Sequence, residues 1–347
     1  MQKGCFTNYH IRWEKIMMLK RQDYEFVLYT LAPVHIGSGV KVTSKESIQE
    51  NGEYYFPEMD KLYLFLEKNH PESLPAFEQY LLDSGSKTNK RKSRLIDFLN
   101  DQKIKERDFG GFKIKQNNLV ERLNEVSLFA RDGLGRRYIP GSSLKGAIRT
   151  ILESEYFRGK QISWGAKSGQ QFDDIFNNIR VGDSNTIGES NFSIVQKWDY
   201  ARNKDPKPMP IYRESLQPLK KITFNISAVG EEAISLIDNL ENIAEKHYLY
   251  YRKFFLDNNF DKKYIQNNIK APIYLGAGSG IWTKTNIRQM DDEKINAIRR
   301  KQYVKMRMKD KGVMKLTKYP TNVNSKIVKT KNFYEIGKCN FEVKKKS

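Results

Sequence analysis

The stretch YIPGSSLKGAIRTIL (residues 138–152) decides the fold, because an extended segment ends in it and a strongly patterned helix begins. Pro140 and Gly141 are typical of such an end, and the hydroxyl of Ser142 or Ser143 can cap the N–H groups of the helix that follows. Apolar side chains then recur with the spacing of one buried helix face, at Leu144, Ala147, Ile148, Ile151, Leu152 and Tyr156. The sequence therefore predicts a helix that packs against a core.

The same helix start also combines the features of an anion site. Lys145 and Arg149 lie four residues apart on the opposite face, close to the N–H groups and the positive end of the helix dipole. Gly141 and Gly146 have the spacing of a phosphate-binding P-loop, but an alanine and an isoleucine follow where that loop needs lysine and serine or threonine. The P-loop interpretation therefore fails. Two others stay open, a phosphate cradle and a capped surface helix with two basic residues.

A second glycine-rich stretch, LGAGSGIWTKT, occupies residues 275–285 and is called the late loop. Its Gly276, Gly278 and Gly280 do not complete a dinucleotide-binding fingerprint, because an isoleucine follows and no helix pattern begins at once. Glycines here would allow a close approach to the backbone of a ligand, and Lys284 could neutralise a phosphate. A flexible, twisted hairpin is the alternative.

A third glycine turn, at residues 37–39, follows the first clear strand pattern at residues 24–31. His35 lies just before this turn, and a lone histidine is more often a structural hydrogen-bonding residue than a catalyst. None of the 4 histidines is spaced to pair with another or with a cysteine, so the sequence predicts neither a metal site nor a catalytic triad. Asp183 is better explained by a strand end or a helix cap than by a catalytic role.

The composition points to a polyanionic partner. The 347 residues carry a net charge of +20, and from Arg299 onward there are 16 lysines or arginines against 3 acidic residues. Nucleic acid or an acidic membrane face would suit such a surface. The aromatic and apolar residues within this basic region indicate that part of it folds. With only Cys5 and Cys339, no disulfide framework is expected, which favours a reducing cytoplasm, and no run reaches membrane-spanning length.

The order of strand and helix patterns predicts an α+β protein of two ferredoxin-like (RRM-like) domains. We expect an unstructured extension at residues 1–16, a first domain at 17–210 with a helical insertion at about 58–125, and a second domain at 211–347 that ends in the basic C-terminal region. Residues 199–210, rich in proline and basic residues, are predicted to form a linker or an extended hairpin arm.

Four motifs in this order and spacing resemble the RAMP superfamily of CRISPR proteins: LAPVHIGSG, YIPGSSLKGAIRTIL, RESLQPLKKITFNIS and LGAGSGIWTKT. Within it, the chain is most similar to the subunits that cap the crRNA 3′ end in type III-A Csm effector complexes. The resemblance spans residues 24–343. Leu219 departs from the pattern, because a glycine is more usual after the proline of the third motif, so the turn there is expected to differ.

The resemblance implies two RRM-like folds and RNA binding without cofactor, metal or catalysis. The partners that it implies are crRNA, the neighbouring RAMP backbone subunit, the small helical subunit, and host nucleases that trim the crRNA 3′ end, with no membrane. The RNA-binding residues that it implies, together with nearby basic residues, are His35, Gly37, Ser38, Gly39, Lys41, Arg131, Arg136, Arg137, Gly141, Ser142, Ser143, Lys145, Arg149, Gly276, Gly278, Gly280 and Lys284.

The predicted function is therefore a cytoplasmic crRNA-binding cap that is also needed for crRNA 3′ maturation in antiviral defence. One alternative is a metal-independent RAMP endoribonuclease that processes crRNA with His35 as general acid or base, for which no second catalytic residue is apparent. Another is a free-standing RNA-binding module, which would bind RNA with little sequence preference and a steep salt dependence.

Overall fold

The structure, a computed structural model, describes residues 20–50, 52–82, 94–117, 123–156, 175–266, 270–289, 291, 293, 312–319 and 332–347. The expected N-terminal extension at residues 1–16 and much of the basic C-terminal region lie outside the described residues.

The strands are β1 (Arg21–Thr30), β2 (Gly37–Thr43), β3 (Ile48–Glu50), β4 (Glu53–Phe56), β5 (Phe112–Asn117), β6 (Glu125–Phe129), β7 (Ile179–Val181), β8 (Phe192–Tyr200), β9 (Lys207–Leu216), β10 (Lys221–Val229), β11 (Pro272–Tyr274), β12 (Met314–Lys318), β13 (Phe333–Glu335) and β14 (Lys338–Lys345). The α-helices are α1 (Met59–Asn69), α2 (Leu74–Leu82), α3 (Leu95–Asp101), α4 (Gly141–Glu155), α5 (Glu231–Asp238) and α6 (Leu240–Tyr251). The fold is therefore of the mixed α+β class, as predicted.

The first sheet is antiparallel and has the strand order β11-β14-β1-β10-β7. β1 lies inside it, where Phe26 pairs with Phe224 of β10 and with Val343 of β14. The ring of Phe26 stacks on that of Phe341, with 4.7 Å between the ring centroids. Full burial of a phenylalanine side chain stabilises the fold by about 1.5–3 kcal/mol. Because residues of both β10 and β14 pack beside Phe26, the stability of β1 depends on both neighbouring strands.

Helix α4 packs on this sheet through its predicted apolar face. Leu144, Ile148 and Leu152 belong to the same buried cluster as Phe26 and Ile226 of the sheet. Tyr156, which was expected to extend this face, is 46% exposed because the helix ends at Glu155. Four strands of this sheet and the helices that pack on it have the β-α-β-β-α-β chain order of a ferredoxin-like unit. Helix α4 lies between β1 and β7 in this order, and α5 and α6 lie between β10 and β14.

Both halves of the chain contribute to the first sheet. β1 precedes residue 210, whereas its partners β10 and β14 follow it. The expected domain limit at 210/211 itself falls inside β9, and residues 199–210 contain the hairpin that joins β8 to β9. The two ends of the described chain therefore complete one sheet.

The larger sheet has the order β2-β6-β9-β8-β5-β4-β3, with β12 beside β8 and β13 beside β12. β8 and β9 form its central antiparallel hairpin, and β6 and β5 run parallel to β9 and β8 respectively. The expected insertion at 58–125 contains α1, α2, α3 and β5, and its helices share an apolar cluster that includes Leu66, Phe77 and Phe98. None of the helices that the structure describes is both long enough and apolar enough to cross a membrane.

Because β1 takes both of its hydrogen-bonded neighbours from beyond residue 210, we expect a fragment of residues 1–210 not to fold. Its central strand would expose both edges and an apolar face to water. The fragment should lack the near-ultraviolet circular dichroism and the cooperative thermal unfolding of the full chain, which is the control. Cooperative unfolding of the fragment would contradict this dependence and support sequential domains.

Candidate functional site

The turn after β1 and the late loop, predicted separately, contact each other directly. The carbonyl oxygen of His35 accepts a hydrogen bond of 2.7 Å from the N–H of Ala277. Gly276 has a φ of +80°, and a Cβ atom there would lie 2.2 Å from that same oxygen. The close approach that requires this glycine is thus to the protein's own backbone, which holds the two glycine-rich segments together.

The late loop is a packed turn and not a flexible hairpin. The Thr283 hydroxyl donates to Ser279 Oγ at 2.9 Å, and the buried ring of Trp282 packs edge-on against Phe254 at 5.2 Å. Gly278 has a φ of +89°, and a Cβ atom there would lie 2.8 Å from Nη1 of Arg213. The loop therefore lies directly over a β9 arginine that the sequence analysis did not single out.

His35 is held as a structural residue. Its side chain is buried, and Nδ1 donates to the carbonyl oxygen of Glu214 at 2.6 Å, since that oxygen can only accept. Burial lowers the pKa of His35 to about 4, although the hydrogen bond to Glu214 opposes this shift. The imidazole is therefore neutral at pH 7 and carries no charge for a phosphate.

The buried carboxylate of Glu214 organises the basic residues that precede α4. It accepts hydrogen bonds from Nε of Arg137, from Nη2 of Arg131 at 3.1 Å and from the N–H of Phe129 at 2.8 Å. Arg137 is only 2% exposed and also pairs with Glu189 at 2.8 Å. Both carboxylates hold the guanidinium of Arg137 inside the fold, so Arg137 is not placed to reach a phosphate.

Arg131 and Arg136 differ in their surroundings. The guanidinium of Arg131 lies 4.0 Å from the ring centroid of Phe112 and is largely covered. Arg136 is exposed and pairs with Asp132 at 2.8 Å. Exposed ion pairs contribute only about 0–1 kcal/mol, so Arg136 can exchange its partner for a phosphate at little cost.

Helix α4 begins at Gly141, as predicted, but its cap is different. The N–H of Gly141 donates to Oδ1 of Asp183 at 2.7 Å, and neither Ser142 nor Ser143 provides a side-chain cap. A Cβ atom at Gly141 would lie 2.3 Å from the Val181 carbonyl oxygen, so this glycine serves close packing against β7. The cap role considered for Asp183 is confirmed, and its negative charge weakens the attraction of this helix start for an anion.

The two basic residues of α4 have different contacts. Arg149 forms an ion pair with Glu153 at 2.6 Å, and its guanidinium lies 4.5 Å from the ring centroid of Phe176. Lys145, one turn earlier, is partly exposed. The role of both residues in RNA binding stays a prediction.

Sequence reasoning missed Arg213 and Glu214, which lie at the centre of this region. They stand in the quoted motif RESLQPLKK, where two opposite charges are adjacent within a strand pattern, and that placement was the available signal. In the same motif Leu219 adopts a φ of +62°, and its N–H donates to the Thr30 carbonyl oxygen at 2.6 Å. The turn is thus formed in a left-handed conformation that glycine adopts more easily. Among the described residues, no three histidine, cysteine or acidic side chains could jointly hold a metal ion.

Comparison with known proteins extends these observations. The family model described as the RAMP superfamily matches residues 27–280. The chain is 43% identical over 359 residues to the CRISPR system Cms protein Csm5 of Streptococcus thermophilus, an alignment that covers 93% of this chain and 98% of that protein. The chain belongs to the Csm5 family of the RAMP superfamily. The predicted resemblance is therefore confirmed.

More distant Csm5 proteins agree. That of Enterococcus italicus is 30% identical over 257 residues, covering 67% of each chain. The fold matches a chain in the cryo-EM structure of a Csm-crRNA-target RNA ternary complex, with a TM-score of 0.60, 15% identity, and coverage of 92% of this chain and 100% of that one. The crystal structure of T.onnurineus Csm5 also has a TM-score of 0.60, at 16% identity, with coverage of 90% and 99%. At such identities the two structures show a shared fold alone.

Replacing Glu214 by glutamine should destabilise the protein by about 3 kcal/mol or more, because Arg137 would keep its buried charge without its main partner. Urea unfolding followed by circular dichroism measures this. The matched control is Glu189→Gln, which removes the other, 67% exposed partner of Arg137 and should cost less than about 1 kcal/mol. Equal losses would contradict the central role of Glu214.

The buried His35 also predicts a pH dependence of stability. Its pKa falls from the ordinary 6.5 to about 4 on folding, so between these pH values the unfolded chain binds more protons. The free energy of unfolding should therefore fall on acidification, by up to about 1.4 kcal/mol per pH unit for this group. Urea titrations at several pH values should show that the free energy of unfolding of His35→Asn depends less steeply on pH than that of the wild type. The pH dependence that remains in this variant includes the contribution of buried His247, whose pKa is likewise lowered to about 4. An unchanged slope would refute this.

Proposed function

We propose that the chain is a non-catalytic crRNA-binding subunit of a type III-A Csm effector complex, which caps the crRNA 3′ end and is needed for its 3′ maturation. The observation that carries this proposal is the contact between the His35 turn and the late loop, which places glycine-rich backbone beside Arg213 and Lys284. Membership of the Csm5 family supports the assignment to a Csm complex.

Single-stranded RNA is held by cations, by backbone N–H donors and by planar groups that stack on bases. Lys41, Arg136 and Lys284 are exposed, and the first two are held by surface carboxylates, Glu125 at 2.9 Å and Asp132 at 2.8 Å. Such pairs are weak and screened by salt, so RNA phosphates can replace the carboxylates. In contrast, Arg137 and the ring of His35 support this surface from within.

The geometry of His35 gives no support to the endoribonuclease alternative. A general acid must be protonated at the working pH and within reach of its substrate. Burial keeps His35 neutral, which does not suit a general acid, and the residue is only 3% exposed, which does not place it within reach of a substrate as a general base. We therefore assign the residue to the support of the turn.

Within this proposal the chain acts in the cytoplasm and has two RRM-like units, whose limits are set by the two sheets and not by residue 210. Its neighbours would be the RAMP backbone subunit and the small helical subunit, and it would position the crRNA 3′ end for host nucleases. A cell that lacks the chain should accumulate crRNA with longer 3′ ends.

Replacing both Lys145 and Arg149 by alanine should weaken RNA binding and reduce the salt dependence of the affinity by about one to two phosphate contacts. Fluorescence anisotropy with a labelled single-stranded RNA, at several salt concentrations, measures both quantities.

The control for this test is Lys61→Ala with Lys68→Ala, which removes the same charge from α1 in the helical insertion. It should leave binding nearly unchanged. If the α4 variant bound RNA as well as the wild type, the helix start would not be part of the RNA site.

A further inference from the structure

Beside the late loop, the larger sheet carries basic side chains that no sequence motif identified as a site. They are Lys197 on β8, Arg213 on β9 and Lys315 on β12. Lys284 of the late loop, which was already predicted to bind a phosphate, lies close to Arg213. Asp199 of β8 lies among them. These five residues are called the basic cluster.

Strand register places the basic cluster on one face of the sheet. β8 lies between β9 and β12, with Arg213 paired to Val195 and Lys315 paired to Asp199. Alternate side chains of a strand point to the same side, and directly opposite residues share a face. Lys197 and Asp199 therefore project to the same side as Arg213 and Lys315.

The late loop covers this face closely. A Cβ atom at Gly278 would lie 2.8 Å from Nη1 of Arg213, and one at Gly280 would lie 3.5 Å from Cγ of Lys315. Gly280 has a φ of +101°, so a larger residue would be strained there. The glycines thus allow the loop backbone to pack directly against the cationic side chains.

The charges of the basic cluster are not balanced by the residues that the structure describes. Asp199 Oδ1 accepts from Lys197 Nζ at 3.1 Å and from Lys315 Nζ at 3.0 Å. Within the basic cluster, the carboxylate of Asp199 therefore faces four cations. The network around Glu214, the residue next to Arg213 on β9, is different. There two arginines, Arg131 and Arg137, form ion pairs with two carboxylates, those of Glu214 and Glu189. A purely structural ion cluster would resemble the second arrangement.

Three cations of the basic cluster, Lys315, Lys284 and Arg213, have pKa values below their usual range. Desolvation lowers the pKa of Lys315, and the nearby Lys197 lowers it further, while Asp199 opposes both effects. Desolvation also lowers the pKa of Lys284, and the charge of Arg213 lowers it further, although the Lys284 side chain remains exposed. An anion bound between these groups would remove the repulsion.

We propose that the basic cluster is a phosphate-binding site that holds the backbone of single-stranded RNA beside the late loop. The inference rests on the proposed function and names the residues that would grip the RNA. The planar guanidinium of Arg213 suits two phosphate oxygens, and the ammonium groups of Lys284 and Lys315 supply point charges. The RNA phosphates provide the negative charge that Asp199 alone does not.

The first test removes charge at constant side-chain length, with Lys284→Met, Lys315→Met and the double variant. The probe is a fluorescein-labelled 12-nucleotide oligouridylate, measured by anisotropy at several salt concentrations. The double variant should bind about tenfold more weakly or worse, and its salt slope should fall by about two single-strand contacts, roughly 1.4. Lys284 is exposed, so its variant keeps the test valid if Lys315→Met were to fold poorly.

The second test changes affinity in the opposite direction. Asp199→Asn removes the carboxylate that competes with RNA for Lys197 and Lys315, so it should bind the oligouridylate more tightly and with a steeper salt slope. A merely structural role for Asp199 would weaken binding instead, and that result would overturn the proposal.

The matched control is Lys318→Met, which removes the same charge from the opposite face of β12, where Nζ of Lys318 lies 4.6 Å from the ring centroid of Trp198. It should bind like the wild type. Equal losses in this control and in the cluster variants would show a nonspecific charge effect and refute the site.

Pyrophosphate is added as a competitor in a separate experiment. Competition at micromolar pyrophosphate would show a site for free phosphates and would also overturn the proposal. If the wild type binds RNA but the cluster variants are unchanged, only this inference fails; if the wild type itself does not bind, the proposed function fails too.

Discussion

The structure depends on the placement of β1 between two strands that come much later in the chain. β1 pairs with β10 and β14 along most of its length. This pairing continues beyond the strand end, where the N–H of Leu31 donates to the Lys338 carbonyl oxygen and the N–H of Gly337 donates to that of Pro33. Leu275 in turn donates to Gly337. The hydrogen bonds that close the sheet therefore bring the first turn and the late loop together.

Around that contact, charge is used in two different ways. Glu214 collects Arg131 and Arg137 in a buried network in which opposite charges are matched, and this network fixes the segment that leads into α4. One residue earlier on the same strand, Arg213 points to the opposite face and joins lysines that are only partly neutralised by Asp199. Strand alternation thus separates a stabilising set of arginines from a set suited to bind an anion.

These two sets refine the expected RNA surface. The basic residues before α4 were all expected to bind RNA, but Arg137 is buried and Arg136 is exposed. The α4 start, which attracted most attention in the sequence, is capped by Asp183. The late loop keeps the predicted glycines and Lys284, and it gains Arg213 and Lys315 as neighbours. Among the described residues, Arg213 and Lys315 therefore add to the basic side chains beside the late loop.

The sequence by itself determined the α+β class, β1, the start and apolar face of α4, and the family, because these depend on local periodicity and on motifs in a fixed order. It could not determine which strands flank β1, since pairing over such separations leaves no local pattern. Nor could it show that Arg149 pairs with Glu153 or that Arg213 and Glu214 project to opposite faces. Only the tertiary structure decided which cations are neutralised, because burial and the partner of each charge are set by elements distant in sequence.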